Sequence, residues 1–123
     1  MENIKILVVE DENIVALDIV KRLSDLGFTV LPVISSGEEA VEKAYEYKPD
    51  LILMDILLKG KINGLDAAKK IMRTLKIPIV YLTASTNREV LERARKVGRC
   101  SYINKPFRGK ELENAIKTLL KIK

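Results

Sequence analysis

The sequence predicts an α/β fold built on a doubly wound, five-stranded parallel sheet. Three observations point there. Short apolar runs, several without polar alternation, read as strands buried on both faces. Amphipathic segments with helical spacing lie between them. The alternation runs through all 123 residues without a Pro/Gly/Ser-rich linker, a repeat or a low-complexity stretch, so residues 1–123 read as one domain.

The elements follow in order. Ile4–Val9 is a nearly continuous apolar run that ends in Glu10, Asp11 and Glu12. It reads as a buried strand and not as a signal peptide. Asn13 to Leu26 reads as a helix with Ala16, Ile19, Val20, Leu23 and Leu26 on one face, and Gly27 stops it. Phe28–Val33 is the second predicted strand. Ser36 and Glu39 have the spacing of an N-cap and its reciprocal acid, and the helix they open turns Ala40, Val41 and Ala44 inward. Pro49 and Asp50 end it. Leu51–Met54, wholly apolar, is the third strand and runs straight into Asp55. Gly60 and Asn63-Gly64 are turn signals, and a helix over about Leu65–Leu75 buries Ala68, Ile71, Met72 and Leu75. Pro78–Leu82 is the fourth strand and leads into Thr83, Ala84 and Ser85. A helix over about Asn87–Val97 turns Val90, Leu91, Ala94 and Val97 inward, with Gly98 as its stop. Ser101–Asn104 is a short fifth strand before Lys105-Pro106, and a last helix covers about Lys110–Lys121. Five strand–helix units with right-handed crossovers fit the flavodoxin-like (βα)5 arrangement, strand order 2-1-3-4-5.

Composition removes several chemistries. The chain has no histidine, which excludes a Ser-His-Asp triad, a Cys-His dyad and a phosphohistidine of its own. One cysteine, Cys100, allows no internal disulfide and no cysteine zinc cluster. A reducing, cytoplasmic setting is the expectation. No apolar run approaches the ~20 residues that span a bilayer. The formal net charge is +5, but Lys and Arg are interleaved with Glu along the chain, so nucleic acid is not the expected ligand.

What remains lies at the strand ends. In a parallel sheet of this kind ligands bind at the carboxyl edge. Glu10, Asp11, Asp55, Thr83, Ser85 and Lys105 all follow strands, so the topology brings carboxylates, hydroxyls and an ammonium to one edge. Neighbouring carboxylates repel unless a cation sits among them, and Mg²⁺, a taker of oxygen ligands, fits best. Asp55 is the candidate nucleophile, because a carboxylate can attack phosphorus. Thr83 and Lys105 can bind phosphoryl oxygens as charge develops on them. Each signal alone has a plain structural account: a helix cap, a β-branched strand residue, a solvated lysine. Their order along the chain does not.

The motifs ILVVEDE (6–12), LILMD (51–55), Asn63-Gly64-Leu65, YLTAS (81–85) and YINKPF (102–107) resemble those of the receiver domains of two-component response regulators, over about residues 3–121. The resemblance implies that Asp55 accepts a phosphoryl group. It implies that Asp11 ligates Mg²⁺ directly, Glu10 through a water, and Leu57 through its backbone carbonyl. Thr83 and Tyr102 resemble the switch pair, with Tyr102 turning inward when Thr83 moves onto the phosphoryl group. Lys105 resembles the phosphate-pairing lysine, and its bond to Pro106 is expected to be cis. The output surface is then helix four, strand five and helix five. The implied partner is a histidine kinase or a histidine phosphotransfer protein. An output or kinase domain on the same parent chain and a phosphorylation-dependent dimer also fit the family. The domain is regulatory, acting only on its own Asp55.

Three departures stand out. The stretch from Ile56 to Gly64 is longer than usual and lacks proline. Glu10 replaces the commoner Asp, and Arg99 stands where a small residue is usual. Two other function classes share parts of this pattern. An Asp-nucleophile phosphatase needs a second Asp where this chain has Leu57. A pseudo-receiver would keep the fold as a protein-binding module without phosphorylation.

Overall fold

A computed structural model describes residues 3–58, 60–83 and 88–122. Its elements are β1 (Lys5–Val9), α1 (Asn13–Asp25), β2 (Thr29–Val30), α2 (Gly37–Tyr47), β3 (Leu51–Asp55), α3 (Gly64–Met72), β4 (Ile79–Thr83), α4 (Arg88–Val97), β5 (Cys100–Asn104) and α5 (Gly109–Leu120). The strands form one sheet in the order β2-β1-β3-β4-β5, parallel at every pairing. This is the predicted flavodoxin-like arrangement.

The apolar runs are continuous because both sheet faces are covered. Successive strand residues point to opposite faces. Leu7, Val9, Ile52, Met54, Ile79 and Tyr81 pack with Ala40 and Ala44 of α2, Ala67, Ala68 and Ile71 of α3 and Ala94 of α4. Ile6, Val8, Leu51, Leu53, Val80 and Leu82 pack with Ile19 and Leu23 of α1 and Leu112 and Ile116 of α5. Each fully buried aliphatic side chain stabilises the fold by about 1.5–3 kcal/mol relative to exposure. No helix among the described residues is long and apolar enough to cross a membrane.

Local signals acted much as their chemistry suggests. Ser36 Oγ accepts from the Glu39 N–H at 3.2 Å, and Asn63 Oδ1 accepts from the Asp66 N–H at 2.9 Å. Gly27 has φ +93°, which suits it to the turn after α1. The second strand is shorter than expected. Leu31 donates to the Ile6 carbonyl, but the next bond to β1 comes from Ile34 to Val8, not from Val33. A residue is thus bulged out at Pro32-Val33, on the edge strand of the sheet. The third helix ends at Met72, short of Leu75. Of the residues expected inward on α4, only Ala94 is fully buried. Asn87, Ala84 and Ser85 lie outside the described residues.

Candidate functional site

The register of the sheet builds the site. Val9 pairs with Met54, so the next residues, Glu10 and Asp55, emerge side by side. Leu82 pairs with Asp55 and Thr83 with Asn104, which sets Thr83 and Lys105 at the same edge. The Lys105 N–H donates to the Thr83 carbonyl at 2.8 Å, and the Lys105–Pro106 bond is cis, as expected. Glu10, Asp55 and Thr83 are the buried polar residues among those described, at 1%, 4% and 3% exposure. Burial of two carboxylates and a hydroxyl at one edge is what separates this cluster from a solvated helix cap.

Glu10, Asp11 and Asp55 each place a carboxylate oxygen within 4.8 Å of the other two. Lys105 Nζ donates to Glu10 Oε1 at 2.8 Å and to Asp55 Oδ2 at 3.1 Å. Asp55 Oδ1 accepts from the Leu57 N–H at 3.0 Å, and Glu10 Oε2 accepts from the Glu12 N–H at 3.2 Å. Lysine therefore bridges two carboxylates that would otherwise repel. Burial opposes the charge on Lys105, but the two carboxylates outweigh it and hold its pKa above the usual lysine value. Burial pushes the Glu10 carboxyl up to about 7, against the Lys105 and Glu12 hydrogen bonds that pull it down.

A raised pKa on an acid has a definite sign in stability. The unfolded chain ionises Glu10 near 4.5 and the folded chain near 7, so ionisation between those values works against folding. Glu10→Gln carries no such cost. In chelator, its stability relative to wild type is expected to rise by about 1–3 kcal/mol between pH 5 and pH 8. Urea midpoints at the two pH values check this; a pH-independent difference would refute the assignment.

The donor set fits a hard divalent cation: three carboxylates, none paired with a soft ligand, at a spacing that one ion can bridge. The long segment after Asp55 does not disturb the edge. Ile56 and Leu58 are buried in the core, and the Ile62 N–H donates to Glu38 Oε1 at 2.9 Å. Backbone N–H groups of Glu38 itself and Ile62 hold that carboxylate below the usual range. Leu57 is 63% exposed beside the carboxylates.

Several positions make contacts that the sequence did not reveal. Asn63-Gly64 read as a turn, yet a Cβ on Gly64 would collide with the Asp55 carbonyl oxygen. Tyr102 is half-buried, and its hydroxyl accepts from Arg95 Nη2 at 3.1 Å with the guanidinium 5.9 Å from the ring centroid. Arg99 is not simply a free charge: its guanidinium donates to the Leu119 carbonyl at the end of α5. Cys100 donates to the Ala94 carbonyl at 3.6 Å, and burial raises its thiol pKa, which suits a passive packing residue. Only an aromatic near the fifth strand end was a usable sequence signal among these.

The chain matches the response regulator receiver domain family model over residues 6–117. It is 38% identical over 112 residues to the transcriptional regulatory protein PdtaR of Mycobacterium tuberculosis, covering 91% of this chain and 54% of that protein. The chain spans about half the length of the curated relatives it matches. Among solved structures it resembles the response regulator domain of Thermotoga maritima CheB, with a TM-score of 0.90, 26% identity and 99% of each chain covered. It also resembles the receiver domain of a sensor histidine kinase from Pseudomonas aeruginosa PAO1, whose structure has a magnesium ion coordinated in the active site cleft. There the TM-score is 0.85 and the identity 29%, over 98% of this chain and 99% of that one.

Proposed function

The chain belongs to the response regulator receiver domain family, and on that premise we propose that residues 1–123 form one receiver domain that is switched by phosphorylation of Asp55. The observation that carries the reading is the buried Asp55 carboxylate, held by the Leu57 N–H on one oxygen and by Lys105 on the other, beside Glu10 and Asp11.

An Asp55 oxygen attacks the phosphorus of a partner's phosphohistidine. The O–P bond forms as the P–N bond breaks, and that electron pair returns to the imidazole, which takes a proton from solvent. Lys105 shifts its ammonium from the carboxylates to the new phosphoryl oxygens. Glu10, Asp11, Asp55 and the Leu57 carbonyl would hold Mg²⁺, which when bound screens the repulsion between the carboxylates and the phosphoryl group. The Thr83 hydroxyl moves onto the phosphoryl group, and Tyr102 leaves Arg95 and turns into the vacated space. The surface of α4, β5 and α5 changes as a result. Water later attacks phosphorus, releases phosphate and restores Asp55. The partner is a histidine kinase or histidine phosphotransfer protein in the cytoplasm, and an output or kinase domain on a parent chain, or a dimer formed on phosphorylation, reads the switch.

The test uses acetyl phosphate or phosphoramidate, read by intact mass. Wild type is expected to gain one phosphoryl group, about 80 Da. The gain disappears in chelator and in Asp55→Asn. No gain at any Mg²⁺ concentration would overturn the reading in favour of a module that binds its partner without phosphorylation.

A further inference from the structure

A second feature lies between α3 and α4, on elements that supply none of the site's carboxylates. The two helices leave a groove of about 310 Å³ lined by Lys69, Met72, Arg73, Arg93, Lys96 and Val97. Met72 and Val97 are half-buried and form an apolar floor, and the Met72 methyl lies so close over Gly98 that a Cβ there would collide with it. The four charged lining residues are all cations, and all are exposed. Among the described residues none of the four has an ion-pair partner. The surface cations of α1, α2 and α5 behave differently: Lys21, Arg22, Lys43, Lys110 and Lys117 are each within reach of a carboxylate on their own helix.

Four exposed cations around one groove, none within ion-pair distance of a carboxylate among the described residues, make a positive patch that attracts anions. A solvated helix face would not need an apolar floor as well. We propose that this groove docks an acidic, amphipathic segment of a partner protein. An aliphatic side chain of the segment rests on Met72 and Val97, and its carboxylates meet Lys69, Arg73, Arg93 and Lys96. The pattern is that of an amphipathic helix laid in a groove, with charge complementarity setting partner choice. Met72 suits such a floor because its flexible thioether adapts to the side chain it receives. The floor offers no aromatic ring for a base to stack on, which favours a protein segment over single-stranded nucleic acid. The proposal does not depend on phosphorylation of Asp55.

The experiment titrates the ¹⁵N-labelled chain with synthetic helical peptides in which leucines at helical spacing are flanked by glutamates. Matched peptides carry Ser for Leu, and an oligouridylate of equal charge is the third probe. Saturable shifts at Met72, Val97 and the four cations are expected with the leucine peptides. Affinity should fall at least tenfold with the Ser peptides and at least tenfold in the Arg73→Glu/Lys96→Glu variant. That variant changes exposed residues only, and its labelling by acetyl phosphate should match wild type, so failure of docking and failure of the phosphorylation reading are told apart. Shifts elsewhere, no saturable binding by any peptide, or equal binding of the Ser peptides or the oligouridylate would overturn the proposal.

Discussion

Lys105→Met is expected to slow phosphorylation of Asp55 by acetyl phosphate by about 10²–10³-fold, the usual loss when one preorganised donor to a developing anion is removed. The ammonium sits 2.8 Å from Glu10 and 3.1 Å from Asp55, with the lysine side chain only 18% exposed. Methionine keeps most of the length and loses the charge. In the unphosphorylated chain the same ammonium neutralises the carboxylates that would hold Mg²⁺. Its removal should therefore tighten Mg²⁺ binding while the reaction slows. Opposite signs in two measurements distinguish a phosphoryl-binding role from a merely structural one, which would weaken both. Intact-mass time courses give the rate, and calorimetric titration gives the affinity. An unchanged rate would remove Lys105 from the machinery.

Gly64→Ala should lower stability by about 1–3 kcal/mol, the cost of forcing extra volume into a packed site. Alanine is ordinarily the better helix former by about 1 kcal/mol, so the sign here is set by contact. Gly64 opens α3 and is buried, its N–H donates to the Ile56 carbonyl at 2.9 Å, and an added Cβ would overlap the Asp55 carbonyl oxygen. Relief needs a backbone shift at the start of α3 or at Asp55 and Ile56, and a shift at Asp55 would slow phosphorylation as well. Gly27 provides the contrast. A Cβ there meets nothing within 4 Å, and substitution brings only the strain of φ +93°. Thermal melts of the two alanine variants check the comparison. A Gly64→Ala protein as stable as wild type would show that the helix start has room to move.

The layer arrangement was legible because burial on both sheet faces leaves an unbroken apolar run, as in Leu51–Met54, while helices keep one polar face. Boundaries were less legible where a single backbone group decides them. A bulge at Pro32-Val33 moves the next bond to β1 from Val33 to Ile34, and the strand shrinks to Thr29–Val30. In α4 only Ala94 is fully buried, so three expected inward residues remain partly open. One of the three, Val97, lines the α3–α4 groove.

Sequence alone determined which chemical groups reach the carboxyl edge, because in a parallel sheet every strand that ends in a polar residue delivers it to the same side. Glu10, Asp11, Asp55, Thr83 and Lys105 followed from that rule. Tertiary structure alone decided what those groups do to each other. Lys105 is 95 positions from Glu10 along the chain, and only packing brings them to 2.8 Å. The same holds for Arg95 against Tyr102, for Gly64 against the Asp55 carbonyl, and for four groove cations that form no ion pair among the described residues. Hydrophobic periodicity is a local property that the chain carries in any conformation. Coulombic pairing, desolvation and steric contact depend on distances that exist only after distant segments have folded together.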